Sequence, residues 1–199
     1  MWPARNERGP GADQWNWDTF LRAAEACHRA GFPFGLPMGS FTDAVDWVGA
    51  LFNSYGAKFI DERGQVVVRR DPGVRAGLEY LVRLARFLPN DVWAWDDASN
   101  NRALISGRSA LVFNPPSAWA VARRDQPQVA ENCWTIPMPA GPQGRFTAYL
   151  PYMWGIWSFS RVKGPAKELL EFLSDREQAA QQVETSVGYD IPPFQSMTD

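Results

Sequence analysis

The chain has 199 residues, 45% of them hydrophobic and 21% charged, with a formal net charge of -2. A chain of this length makes one or two domains and can bury roughly 70% of its unfolded surface, and its composition excludes both disorder and a fibrous repeat. Without a basic cluster nothing draws a nucleic-acid backbone to it, and without a run of about 18 apolar residues no segment reads as a membrane-spanning helix.

The opening "MWPARNERGPGADQ" has no apolar h-region and no small-residue cleavage site, so it does not read as a signal peptide. "NWDTFLRAAEACHRAG" follows, where Asn16 or Asp18 can cap a helix, Trp17, Phe20, Leu21, Ala24 and Cys27 share a face, and Gly31 ends it. "TDAVDWVGALFNSYG" predicts a second helix, capped by Thr42 or Asp43, with Val45, Val48 and Phe52 inward. "AKFIDERGQVVV" reads as two short extended pieces around a turn. Asp71 and Pro72 then start a helix whose apolar face is Val74, Leu78, Leu81, Ala85 and Leu88.

After "WAWDDASNN", "NNRALISG" predicts a short helix ended by Gly107, and "SALVFN" a buried strand. Asn114 can cap a helix over "PPSAWAVARR" whose first turn holds both prolines. "CWTIPMP" reads as a strand, "AGPQGR" as a loop and "YMWGIWSFS" as a strand, and "GPAKELLEFLSDREQAAQQVETSVG" carries one long helix or two short ones. Helices alternating with strands indicate α/β layering.

Ten tryptophans are several times ordinary usage, and each indole needs core space or a ligand to stack on. Trp15 and Trp17 read as a staple on the first helix, and Trp134 and Trp157, in strands, as core. Asp96 and Asp97 raise the possibility of a glycosidase, but such enzymes need two carboxyls facing across the scissile bond. Adjacent side chains diverge, so a partner would have to come from Asp43 or Asp46. Nucleophile and phosphate-loop motifs are absent. The sole histidine, His28, with Cys27 and Cys133 far apart in sequence, falls short of a zinc ligand set, and no cofactor is expected. Non-covalent sugar recognition fits better: it needs flat apolar faces for the pyranose and Asp or Asn side chains for its hydroxyls, and "WAWDDASNN", "NPPSAW" and "YMWGIW" supply both.

The ordered set "WDTFLRAAEACHRAG", "TDAVDWVGALFNSYGAKFIDERGQVVV", "GVRAGLEYLVRL", "LISGRSALVFNPPSAW", "PMPAGPQGR", "YMWGIWSFSRVKGPAKELLEFLSDREQ" and "VGYDIPP" resembles the extracellular solute-binding proteins, family 1, of ABC importers. Within them it is similar to the carbohydrate class that includes maltose- and glycerol-phosphate-binding proteins. Trp95, Asp97, Ser99, Asn100 and Asn101 match a W-x-D-x-S-N-N segment of one subgroup.

The resemblance implies an α/β, periplasmic-binding-protein-like (type II) fold, in which two lobes close on a solute and the closed form docks on a permease. Residues 15–140 would form the C-terminal-lobe-like domain, and 141–199 a hinge crossover with a returning strand and helix of the N-terminal lobe. A secretion signal and most of the first lobe would precede Trp15, and a further helical segment would follow Asp199, so the chain reads as a fragment with half of its cleft. The parent would be a monomer, periplasmic or lipid-anchored, non-enzymatic, with a sugar or polyol and inner-membrane ABC permease subunits as partners. Ligand contacts would come from Asp43, Trp47, Trp95, Asp97 and Asn100. Asn114 and Ser117 would join them at the helix beginning with Pro115, and Tyr152, Met153 and Trp154 on the returning strand. Asp43, Asp97 and Asn114 are also cap candidates, and Trp47 a core candidate. The alternative is a fragment of a carbohydrate-active enzyme using its Asp carboxylates.

Overall fold

Helix α1 (Trp17–Arg29) starts on a reciprocal cap. The Asn16 side chain accepts from the amides of Asp18 and Thr19 at 3.1 and 2.9 Å, and the Thr19 hydroxyl accepts from the Asn16 amide at 2.9 Å. Trp15, just before the cap, lies edge-on to Phe20 with ring centroids 5.6 Å apart, the staple expected there. Replacing Asn16 with alanine is expected to cost about 1 kcal/mol, read as a lower urea midpoint.

The computed structural model that shows this describes residues 14–187, 189–191 and 194–197. The opening segment 1–13 and residue 188, the last of "GPAKELLEFLSDREQAAQQVETSVG", lie outside the described residues. The chain divides into two compact units, one ending at Tyr149 and the other beginning at Leu150.

In the first unit, α2 (Thr42–Ser54) is followed by α3 (Pro72–Ala85), which begins with the expected Asp71 cap: its carboxylate accepts from the Val74 amide at 2.9 Å. The two inward faces match the expected ones in part: Val48 and Phe52 pack against the core, and Val74, Leu81 and Leu88 are buried. On α2 the buried residues are Asp43, Ala44, Trp47, Ala50, Leu51 and Ser54, while Val45 is exposed. On α3 they are Gly73, Val74, Gly77, Tyr80, Leu81 and Leu84, while Leu78 is half exposed. Both sequences carry two overlapping apolar stripes at helical spacing, and close packing chooses between them. Gly77 lies under Phe52, and a Cβ on Gly73 would sit 2.6 Å from the Ala57 amide nitrogen and 2.7 Å from the Tyr55 carbonyl. Gly73→Ala is therefore expected to destabilise by about 1–3 kcal/mol, since backbone is what must move.

The chain continues through α4 (Ser99–Ile105), α5 (Ser117–Asp125) and the single turn α6 (Pro127–Ala130). Gly107 leaves α4 at φ +71°, as its predicted stop requires. Helix α5 begins just after the proline pair, so Pro115 and Pro116 precede its first turn. A hairpin of β1 (Ala140–Gly141) and β2 (Gly144–Arg145), where a loop is expected, pairs Ala140 with Arg145 and Gly141 with Gly144. It packs on the end of α2, where the Gln143 amide donates to the Ser54 carbonyl at 2.9 Å. The hairpin lies within the first unit, which ends at Tyr149.

Most expected strands form no ladder. "SALVFN" gives one parallel bridge, Val112 with Gly35, and "AKFIDERGQVVV" one antiparallel bridge, Ile60 with Val66. "CWTIPMP" has no strand, and Trp134 is exposed rather than core. Around Trp17, Phe20, Phe34, Leu36, Trp47, Leu51, Tyr80 and Leu84 lies the core. Phe113 is stacked on Phe20 at 5.2 Å and on Trp47 at 5.5 Å.

In the second unit the long helical segment is two helices, α7 (Lys163–Ser174) and α8 (Arg176–Thr185), broken at Asp175. Ahead of them, "YMWGIWSFS" forms no strand, and Tyr152, Met153, Trp154, Trp157 and Phe159 are exposed. A strand needs a neighbour for its N–H and C=O groups, and this segment has none among the described residues.

Candidate functional site

Three helix beginnings of the first unit bring their polar side chains together. Helix α2 starts after Phe41 with no cap from that residue or from Thr42; instead Asp97, far along the chain, accepts from the Asp43 amide at 3.3 Å. Asp97 and its neighbour Asp96 point to different partners, as adjacent residues should. Asp96 accepts from the Ser99 hydroxyl at 2.6 Å and pairs with Arg102 at 2.8 Å, both of which hold its carboxyl below the ordinary range.

At the centre is Asn100, fully buried in the first turn of α4. Its Nδ2 donates to Asp43 Oδ2 at 2.7 Å and to the Phe113 carbonyl at 2.9 Å, and its Oδ1 accepts from the Asn101 amide at 2.9 Å. Asn114 Nδ2 donates to Asn101 Oδ1 at 2.6 Å and, more distantly, to Asp43 Oδ2 at 3.4 Å. Asn114 Oδ1 accepts from the Ser117 hydroxyl at 2.6 Å and the Ala118 amide at 3.3 Å; the residue before α5 is Pro116, so Asn114 meets the first turn from two residues further back than the cap position expected of it. Phe113, stacked on Phe20 and Trp47, fixes the backbone that carries Asn114.

Asp43 is buried, and desolvation raises its carboxyl above the ordinary carboxylate range. The Asn100 hydrogen bond works against that rise, while the negative charges of Asp97 and Asp46 add to it. Asp46, one turn along α2, is raised by burial and by Asp97. Among the described residues no ion pair reaches Asp43, Asp46 or Asp97. Exposed Asp97 and half-buried Asn101, Asn114 and Ser117 offer acceptors and donors of the kind that bind hydroxyl groups.

The structure thus brings Asp43, Asp97, Asn100, Asn114 and Ser117 together, and places the other expected contacts elsewhere. Trp47 is 2% exposed, donates its indole N–H to the Pro37 carbonyl at 2.8 Å and lies against Phe113; it is core, with no ring face for a ligand. Trp95 is also buried, at the floor of a recess of about 400 Å³ lined by Phe32, Pro33, Pro89 and Arg108. Asn100 is too deep, and too fully hydrogen-bonded, to touch a solute. Tyr152, Met153 and Trp154 belong to the second unit, where all three are exposed and the last two line a cavity of about 410 Å³ with Leu170, Leu173 and Val183. Asn101 was missing from the expected contacts. Its signal was present in the helical spacing: Asn100 and Ala103 share the buried side of α4, which turns Asn101 toward Asn114. Cys27 and Cys133 are both free thiols.

Residues 8–180 match the model of a family described as bacterial extracellular solute-binding protein. Among solved structures the chain is similar to MalE3 of T. maritima with maltose bound, at 24% identity and a TM-score of 0.79, covering 93% of this chain and 49% of that one. It is also similar to an ABC transporter solute-binding protein from Thermotoga lettingae TMO bound with α-D-tagatose, at 17% identity and a TM-score of 0.69, covering 89% and 46%. The chain therefore spans about half the length of the structures it matches. No curated protein sequence matches it. The similarity establishes a helix-rich α/β fold of the periplasmic-binding-protein type, despite the short ladders. With the family model matched over most of its length, the chain belongs to the bacterial extracellular solute-binding proteins.

Proposed function

We propose that the chain is part of the solute-binding component of an ABC importer, and that its solute is a carbohydrate or related polyol held without covalent chemistry. The observation that carries this reading is the convergence of Asp43, Asp97, Asn101, Asn114 and Ser117 from three helix beginnings in a member of this family. Maltose and tagatose in the structural relatives support the solute class. The whole protein acts outside the cytoplasm, in the periplasm or at the cell surface, and delivers its solute to permease subunits.

An enzymatic role fits the geometry poorly. The adjacent pair Asp96 and Asp97 is split between Arg102 and the start of α2, and Asp43 is committed to amide donors. Titrating maltose, tagatose and other neutral sugars into the protein while following tryptophan emission and heat should give saturable binding, with the sugar recovered intact. Steady conversion of the sugar would overturn the proposal, and so would the absence of binding across the panel.

A further inference from the structure

Asn100 is a different kind of residue from its neighbours in the cluster. A primary amide has two donor protons, and both are used inside the protein: one on Asp43 of α2, the other on the carbonyl of Phe113, the residue before Asn114. Its oxygen is turned back onto the Asn101 amide. One buried side chain on α4 thus ties together the start of α2 and the approach to α5. Asn114 reaches the same Asp43 oxygen only at 3.4 Å, so it cannot replace the 2.7 Å bond.

We infer that Asn100 is the positioning residue of the cluster: it touches no solute, but it fixes the Asp43 carboxylate against the 113–114 segment so that Asp43, Asn101 and Asn114 present one preset wall. This rests on the proposed reading of the cluster as a solute-binding wall. The charges acting on Asp43 are the carboxylates of Asp97 and Asp46, both negative, so the Asn100 bond is the contact that favours its ionised form. Replacing Asn100 would then do two things. The carboxylate would lose its orientation, and Asp43 would hold its proton to higher pH.

The test is Asn100→Leu, which keeps much of the volume and removes both donors. With maltose and tagatose as probes, affinity should fall roughly tenfold or more, most at mildly acidic pH, with partial recovery as the pH is raised. Carboxyl NMR should show Asp43 titrating higher than in the unaltered protein, with Asp96 unchanged. A variant that had merely loosened would rehydrate Asp43 and move its titration down, and that direction overturns the inference; so does an unchanged titration or an unchanged affinity. The unaltered protein gives a second readout that needs no variant to fold. The Asn100 side-chain amide resonances should move along the Asp43 titration, and resonances indifferent to it would refute the bond. If neither sugar binds the unaltered protein while Asp43 still follows Asn100, the proposed function fails and the Asp43–Asn100 linkage stands.

Discussion

Replacing Trp17 with alanine is expected to cost about 3–5 kcal/mol, a large part of the 5–15 kcal/mol that holds an ordinary domain together. Trp17 is 2% exposed and lies edge-on to Phe20 and Tyr80 with centroids 5.4 and 5.5 Å apart. Its indole N–H donates to the Ser54 hydroxyl at 2.6 Å, and its carbonyl accepts from the Tyr80 hydroxyl at 2.7 Å. One residue thereby joins α1 to the end of α2 and the middle of α3. The backbone bond to Tyr80 survives truncation, so the loss comes from the cavity and the missing ring contacts. Trp17→Phe separates the contributions: it keeps a ring against Phe20 and Tyr80 and gives up the bond to Ser54, which still donates to the Leu51 carbonyl at 2.6 Å. Urea unfolding followed by circular dichroism should therefore show the phenylalanine variant losing markedly less than the alanine variant. Equal losses would mean that the indole N–H, rather than packing, is what matters at this position.

Asp43→Asn is expected to move stability and binding in opposite directions. Burial holds the folded Asp43 carboxyl above its unfolded value, with Asp97 and Asp46 adding to the rise. Such a group favours folding least when ionised. Its penalty is absent below the unfolded value, grows as pH climbs toward the folded value, and is complete above it. The asparagine is neutral throughout, and its oxygen can still accept from Asn100. The variant should therefore be more stable than the parent at neutral pH, with a flatter stability profile across the carboxylate range. A solute hydroxyl that donates to the carboxylate loses its charged acceptor, worth about 1.5–3 kcal/mol or roughly 10- to 100-fold in affinity. Thermal unfolding at several pH values and sugar titration check the two halves separately. A variant that binds as tightly as the parent would remove Asp43 from the solute wall.

Local chemistry made much of this legible before any coordinates. The caps at Asn16 and Asp71 and the stop at Gly107 each depend on one residue and its own helix, and each is found. What depends on distant parts of the chain was harder to read. Helices α2 and α3 each offer two apolar stripes, and only their packing partners decide that Trp47 and Tyr80 turn inward while Val45 and Leu78 do not. The cap of α2 comes from Asp97, which no local pattern could supply. For the candidate site, residue type was the useful signal and depth was not. Aspartate and asparagine marked the residues that cluster at three helix beginnings, yet Asn100 and Trp47 are as buried as the core. Trp134 and Trp157 erred the other way, because a strand pattern implies burial only where something covers the strand.

The irregular segment that opens the second unit bears on where this chain can be cut. Tyr152, Met153, Trp154, Trp157 and Phe159 lie exposed along backbone that belongs to no ladder, and exposed aromatic side chains on such backbone are where a protease of chymotrypsin-like preference nicks a polypeptide. Limited proteolysis of this chain is therefore expected to cut within this stretch before the Trp17 core opens.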